Sequence, residues 1–248
     1  MEIEFANTYD DAGYASAYAR LEFANTYYLA YRDIPEVLAR HVDGGRAIDF
    51  GCGAGRSTRF LRRLGYDVVG VDISEEMLRQ AREADPAGRY RLVDENGLGA
   101  LGRGSYDLVL SLFTFDNVPT LEKRTALYHA LGELLKATGR IVSLDASPEL
   151  YTHEWASFST KDFPENRRAR CGDTVRTVIT DIGDMRPCSD VFWPDEDYRR
   201  VFQRAGLEVV EVRRPLATGD EPYAWVNETR VAPWVLYVLR KATRPALG

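Results

Sequence analysis

Residues 46–73 read RAIDFGCGAGRSTRFLRRLGYDVVGVDI, and this stretch leaves the chain few folds to choose from. Ala47, Ile48, Asp49 and Phe50 read as a short buried strand that runs straight into a glycine cluster. Gly51, Gly53 and Gly55 alternate there with Cys52 and Ala54. A helix follows, because Phe60, Leu61 and Leu64 recur at helical spacing and Gly65 can end it. Val68, Val69 and Val71 make a second strand, which stops at Asp72. The result is one βαβ unit. Its glycines let the backbone turn sharply and come close to a ligand, and the helix N-terminus presents unpaired N–H groups.

Two details of spacing narrow the ligand. Asp72 lies 21 residues after Gly51, where an acidic side chain can accept hydrogen bonds from a ribose diol. A dinucleotide site asks for G-x-G-x-x-G, and here Arg56 stands at the last position of that pattern. The pattern present is Asp-x-Gly-x-Gly-x-Gly. Asp49, at the strand end, repels a pyrophosphate and suits a ligand that carries an ammonium group. On these residues the chain resembles the class I S-adenosylmethionine-dependent methyltransferases. Their first motif has this Asp and these glycines, and their second is an acid closing the next strand. The resemblance covers residues 30–146 by motif and 195–240 by element order. It implies a Rossmann-like, doubly wound α/β sheet of seven strands, mostly parallel with an antiparallel last strand. It also implies S-adenosyl-L-methionine as cofactor and S-adenosyl-L-homocysteine as product.

Composition sets the outer bounds. At 248 residues the chain holds one sizeable α/β domain with an insertion. Apolar content of 45% and charged content of 28% are those of an ordinary soluble globular protein. A net charge of −6 argues against general nucleic-acid or membrane binding. No run of 18 apolar residues is present, and the start MEIEFANTYDD lacks a basic, hydrophobic signal, so the expected compartment is the cytosol. Cys52, Cys171 and Cys188 form no C-x-x-C pair and no disulfide framework, and Cys52 reads as a small filler in the turn.

The first forty residues are aromatic and helical in pattern, with Tyr9, Tyr14, Tyr18, Tyr27, Tyr28 and Tyr31 among them. The hexapeptide Glu-Phe-Ala-Asn-Thr-Tyr occurs at Glu4–Tyr9 and again at Glu22–Tyr27. One helix is expected from about Tyr27 to His41. The resemblance makes residues 1–42 a lid over the cofactor, with Tyr28 and Tyr31 as its contacts. After Asp72, Ser74 is the expected N-cap of the next helix, with Glu75 and Glu76 in its positive first turn. Tyr90–Val93 and Leu108–Leu112 are the third and fourth strands, a helix is expected over Leu121–Lys136, and Thr138-Gly139 is read as its stop before a fifth strand at Ile141–Leu144. Four strand ends thus converge: Asp49–Gly53, Asp72, Asp94 and Ser111–Asn117. A last helix at Asp195–Ala205 and strands at Leu207–Val212 and Trp234–Leu239 complete the sheet.

Carried onto these positions, the resemblance gives Asp49 and Gly51 to the cofactor's amino acid end, beside Cys52, and Gly53 to its close approach. Asp72 takes the ribose, Ile73 and Met77 lie at the adenine face, and Ser111 ends the fourth strand beside the site. Asp94 meets the adenine amino group, with Glu95 or Asn96 in its place if the register shifts by one.

The chain is read as a single domain: 1–42 lid, 43–146 cofactor-binding core, 147–194 inserted cap and 195–248 end of the sheet. The insertion carries Tyr151, Trp155, Phe158, Phe163, Phe192 and Trp193, too aromatic for disorder, and is expected to cover the acceptor, with a strand of its own at Val175–Thr180. Methyl transfer from a sulfonium is an in-line displacement that rests on alignment. A hydroxyl or ammonium acceptor gains from a general base, for which His153 is the candidate, while a carboxylate would need none and could be oriented by Arg167, Arg168, Arg170 and Arg176. No His or Cys spacing suggests a metal site. The expected function is methyl transfer to O or N of a small aromatic or apolar acceptor, in a protein that leaves room for a homodimer. The alternatives are a protein or RNA methyltransferase, a nicotinamide-dependent oxidoreductase and a non-enzymatic binding module.

Overall fold

Three short helices open the chain, α1 (Ala12–Tyr18), α2 (Thr26–Arg32) and α3 (Ile34–His41). The cofactor-type unit follows as β1 (Arg46–Phe50), α4 (Arg56–Arg63), β2 (Asp67–Asp72), α5 (Glu75–Ala84) and β3 (Tyr90–Leu92). Then come β4 (Tyr106–Leu112), α6 (Leu121–Leu134) and β5 (Leu135–Ala146). The insertion holds β6 (Phe158–Ser159), β7 (Thr174–Ile179) and β8 (Cys188–Val191), and α7 (Asp195–Arg204), β9 (Leu207–Arg213) and β10 (Trp234–Lys241) close the chain. This computed structural model describes residues 12–94 and 97–243, so the first hexapeptide copy, Glu95 and Asn96 lie outside the described residues.

The sheet is seven-stranded in the order β3-β2-β1-β4-β5-β10-β9. β1 pairs in parallel with β2 and β4, and only β10 runs antiparallel to its neighbours, β5 and β9. The doubly wound, mixed sheet is therefore as expected. The chain leaves β1 in one direction for β2 and β3 and returns on the other side for β4, which opens a crevice at the C-terminal ends of β1 and β4. All residues of β4 are buried, as a strand covered on both faces requires. One apolar layer joins α2, α3 and the insertion to the sheet, and a second joins α6 and α7 to its other face.

Two expected boundaries are corrected. The helix drawn over Tyr27–His41 is two helices, divided at Asp33, because Pro35 near the start of α3 lacks an N–H and restricts the residue before it. The helix over Leu121–Lys136 ends at Leu134, and Thr138-Gly139 lies inside β5. Tyr106 pairs with Leu135 but Leu108 with Arg140, so the intervening residues form a bulge in β5. A Cβ on Gly139 would stand 2.8 Å from the Tyr106 carbonyl, which is why glycine sits there. The signal for a stop was a signal for a bulge.

The insertion forms a three-stranded antiparallel sheet, β6-β7-β8, in which β7 falls where a strand was expected. It is tied to α2 through polar groups. The Thr26 hydroxyl donates to Glu228 (2.7 Å), the Ser157 N–H donates to Thr26 Oγ1 (3.0 Å) and the Ser157 hydroxyl to Asp181 (2.7 Å). Buried polar groups are thus satisfied across three segments distant in sequence.

Candidate active site

The turn after β1 is built from backbone geometry. The N–H groups of Gly51 and Cys52 both donate to the Val71 carbonyl, at 2.9 and 3.0 Å, which ties the end of β1 to β2. Gly51 has φ +70°, and a Cβ there would stand 2.2 Å from the Thr114 hydroxyl oxygen. Gly53 has φ +51°, and its Cβ would meet the Met77 methyl at 3.0 Å. Only glycine serves at either place. The Gly53 N–H donates to Asp72 Oδ2 (2.7 Å) and the Ser74 N–H to Asp72 Oδ1 (2.9 Å). Both carboxylate oxygens are held by one backbone donor each, which leaves lone pairs for a diol. Burial pushes the Asp72 carboxyl up, and these N–H donors pull it back.

Asp49 is the next-to-last residue of β1 and is buried. Its Oδ2 accepts from the hydroxyls of Ser57 (2.7 Å) and Thr58 (2.5 Å) on the first turn of α4. Its Oδ1 is buried without a partner. Burial pushes this carboxyl up to about 6 against the pull of the two hydroxyls. An orphaned buried acceptor under a glycine turn fits a cationic ligand group above it.

A cleft of about 330 Å³ opens at these strand ends. Among the residues expected at the site, Gly51, Gly53, Asp72, Ile73, Met77 and Asp94 line it. Ile73 is 64% exposed, an apolar side chain left at the mouth. Ser74 caps α5 as expected, its hydroxyl accepting from the Met77 N–H, and so fixes Met77 against Gly53. Cys52 is buried beneath the turn and Ser111 is buried at the end of β4 with its hydroxyl unpartnered, and neither is on the cleft wall.

Three expected residues are placed elsewhere. Tyr28 packs on Tyr223 at 5.4 Å. Tyr31 packs into Phe23 and Phe60 at 4.6 and 5.1 Å. Of residues 12–42, it is Tyr18 of α1 that lies on the cleft wall. His153 also lies off the cleft wall: its Nδ1 is 3.1 Å from the Glu149 carbonyl and 3.0 Å from the Thr152 hydroxyl, which turns the ring into its own segment. No residue of 147–194 is on that wall. A second, wider groove of about 760 Å³ lies between α1 and residues 183–187 and contains none of the turn residues. Sequence reasoning gave no site role to Tyr18, Val118 and Lys123, and reached Phe113 and Thr114 only as part of the Ser111–Asn117 strand end; all five are on the cleft wall. Phe113 follows β4 directly and adopts φ +62°.

A cluster of acids lies around Arg124, with Asp116 and Asp145 buried and Asp190 half-buried. Asp116 accepts from the Ala146 N–H (3.2 Å), Asp190 accepts from the Tyr151 hydroxyl (3.3 Å) and Asp145 accepts from the Ser143 hydroxyl (2.9 Å). Arg124 donates to the Val118 carbonyl and the Tyr198 hydroxyl and covers the Trp193 ring at 4.3 Å. One guanidinium faces three carboxyls, and burial pushes all three up. The folded protein therefore keeps protons that the unfolded chain gives up above about pH 4, and stability from this cluster is lost as pH rises. Asp145→Asn should gain thermal stability relative to the native chain between about pH 5 and about pH 8. A difference in Tm that stays constant over that range would contradict the protonation of Asp145.

Among the described residues no group of His, Cys, Asp and Glu could hold a metal ion, and no helix is long and apolar enough to cross a membrane. A family model described as a methyltransferase domain matches residues 48–143, the span from β1 into β5. A ubiquinone biosynthesis O-methyltransferase of Xanthomonas oryzae pv. oryzae is 32% identical over 102 residues, 40% of this chain and 41% of that protein. The chain thus matches less than half the length of that relative. An N-demethylindolmycin N-methyltransferase of Streptomyces griseus is 25% identical over 168 residues, 66% of this chain and 70% of its own. The CcbJ methyltransferase of Streptomyces caelestis shares the fold, with a TM-score of 0.62 at 20% identity over 86% of this chain and 96% of that one. The fold is that of the class I S-adenosylmethionine-dependent methyltransferases, and the glycine turn and these matches make the chain similar to them. The orphaned Asp49 oxygen and the cradle at Gly53 fit S-adenosylmethionine, the cofactor that this similarity implies.

Proposed function

We propose that this protein transfers a methyl group to an oxygen or nitrogen of a small aromatic or apolar acceptor. One observation carries the reading: the crevice at the ends of β1, β2 and β4 is lined by Ile73, Phe113 and Val118 around few polar groups. The names of the two curated relatives, an O- and an N-methyltransferase, support the atom types. In this reading Asp49 and the Gly51 turn hold the cofactor's amino acid end. Asp72 accepts from the ribose diol, Asp94 from the adenine amino group, and Ile73 and Met77 flank the base.

The cofactor, when bound, supplies an electrophilic methyl group on a sulfonium centre. The chain supplies alignment, roughly 7–11 kcal/mol of the barrier in favourable cases. Phe113 and Tyr18 narrow the cleft and exclude water, and Asn117 offers an amide to orient the acceptor. The cleft acids Asp72 and Asp94 are both assigned to the cofactor, so the acceptor must bring a nucleophile that needs no base from His153.

The test is transfer of labelled methyl from S-adenosylmethionine to a panel of phenols, aromatic acids and amines. Turnover on at least one class is expected, and labelling only of protein or RNA would overturn the small-molecule reading. His153→Ala should keep turnover within about threefold, whereas a loss of roughly 10²-fold or more would make His153 the base after all.

A further inference from the structure

We propose that Arg56 is a positioning residue that latches the N-terminal helices to the glycine turn and so holds Tyr18 over the cofactor cleft. The inference rests on the cofactor placement given above. Arg56, Arg59 and Arg63 stand at i, i+3 and i+7 of α4 and so share one face. That face grips the segment between α1 and α2. Arg56 donates to the Glu22 carbonyl at 2.9 Å, Arg59 stands 4.0 Å from the Glu22 carboxylate, and the Arg63 guanidinium covers the Phe23 ring at 5.3 Å.

The Arg56 guanidinium is walled by four aromatic rings, Tyr27 at 4.8 Å, Tyr31 at 5.4 Å, Phe113 at 5.7 Å and Tyr18 at 6.0 Å. Among the described residues no carboxylate pairs with it. Its charge is stabilised by ring faces and a carbonyl, and three of those four rings and that carbonyl belong to residues 18–31. Docking of the lid and solvation of Arg56 are thus one event. The planar guanidinium can stack on rings while donating in its own plane, which an ammonium cannot.

This gives the second copy of the hexapeptide a use. Glu22 and Phe23 meet the arginine face, Asn25 donates to Asp181, Thr26 donates to Glu228, and Tyr27 covers Arg56. Nearly every side chain of Glu22–Tyr27 is spent on docking, and the helix that carries Tyr18 enters this anchor directly.

The experiment is a double-mutant cycle on the binding of S-adenosylhomocysteine, read by calorimetry, with Arg56→Met, Tyr18→Ala and the pair. Arg56→Met should weaken binding about 10-fold and speed proteolysis within residues 19–25 of the ligand-free protein. The double variant should bind no worse than the weaker single one, because Arg56 acts through Tyr18. Arg56→Lys, which keeps the cation, should recover part of the loss, and it carries the test if Arg56→Met does not fold. Losses that multiply in the double variant, or undiminished binding by Arg56→Met, would overturn the latch. Unchanged binding by Tyr18→Ala beside weakened binding by Asp72→Ala would also overturn it and leave the cofactor placement standing. Unchanged binding by both would remove the placement itself.

Discussion

Asp72→Ala should weaken S-adenosylmethionine binding by about 1.5–3 kcal/mol, the range for hydrogen bonds to a charged group. In affinity that is roughly 10- to 150-fold. The expectation follows from how the carboxylate is held. Gly53 and Ser74 each give one N–H to a separate oxygen, so the group is fixed at the cleft before any ligand arrives. Little is then lost in ordering it on binding. The alanine variant removes the ribose acceptors and leaves two backbone donors facing the gap. Asp72→Asn is no neutral control, because its amide nitrogen would oppose one of those N–H groups. Calorimetry on the alanine variant decides the matter. Unchanged affinity would place the ribose elsewhere.

Trp234→Ala should cost about 3–5 kcal/mol of folding stability. Trp234 is the largest fully buried side chain and opens β10. Its ring meets Phe113 at 5.0 Å, Phe158 at 5.6 Å and Tyr27 at 6.1 Å, and its indole N–H donates to the Thr26 carbonyl at 2.9 Å. One side chain therefore joins the last strand, the insertion, α2 and the loop after β4. Removing it opens a cavity among aromatic rings too rigid to close it and deletes the indole N–H that ties β10 to the Thr26 carbonyl. Urea unfolding should show a lower midpoint with an unchanged slope. A loss under about 1 kcal/mol would mean the cluster repacks and does not hold α2 to the sheet.

What the sequence disclosed was local. The stretch from β1 to β2 could be read because glycines at φ above +50°, an apolar strand and a strand-ending acid each leave a mark at fixed spacing. Ser74 could be read because an N-cap is a contact of a residue with its own helix. Tyr18 could not, because its place depends on how α1 is carried over the cleft by contacts at Glu22 and Phe23. The same holds for Tyr28 and Tyr31, whose spacing marks them as helical but says nothing of what each faces. His153 had the right residue type in the expected segment, yet local bonds to Glu149 and Thr152 direct its ring away. In the insertion β7 showed itself by alternation, while β6 has two residues and no period to detect. Thr138-Gly139 shows that one residue pair can signal either a helix stop or a bulge, and the pairing of β4 decides which.

The central claim is that the cleft beneath Tyr18 binds S-adenosylmethionine through Asp49, the glycine turn and Asp72. Calorimetric titration of the purified protein with S-adenosylmethionine, S-adenosylhomocysteine and NADH in parallel tests it most directly. Micromolar binding of the first two and none of NADH is the expected result. Binding of NADH without the other two would contradict it.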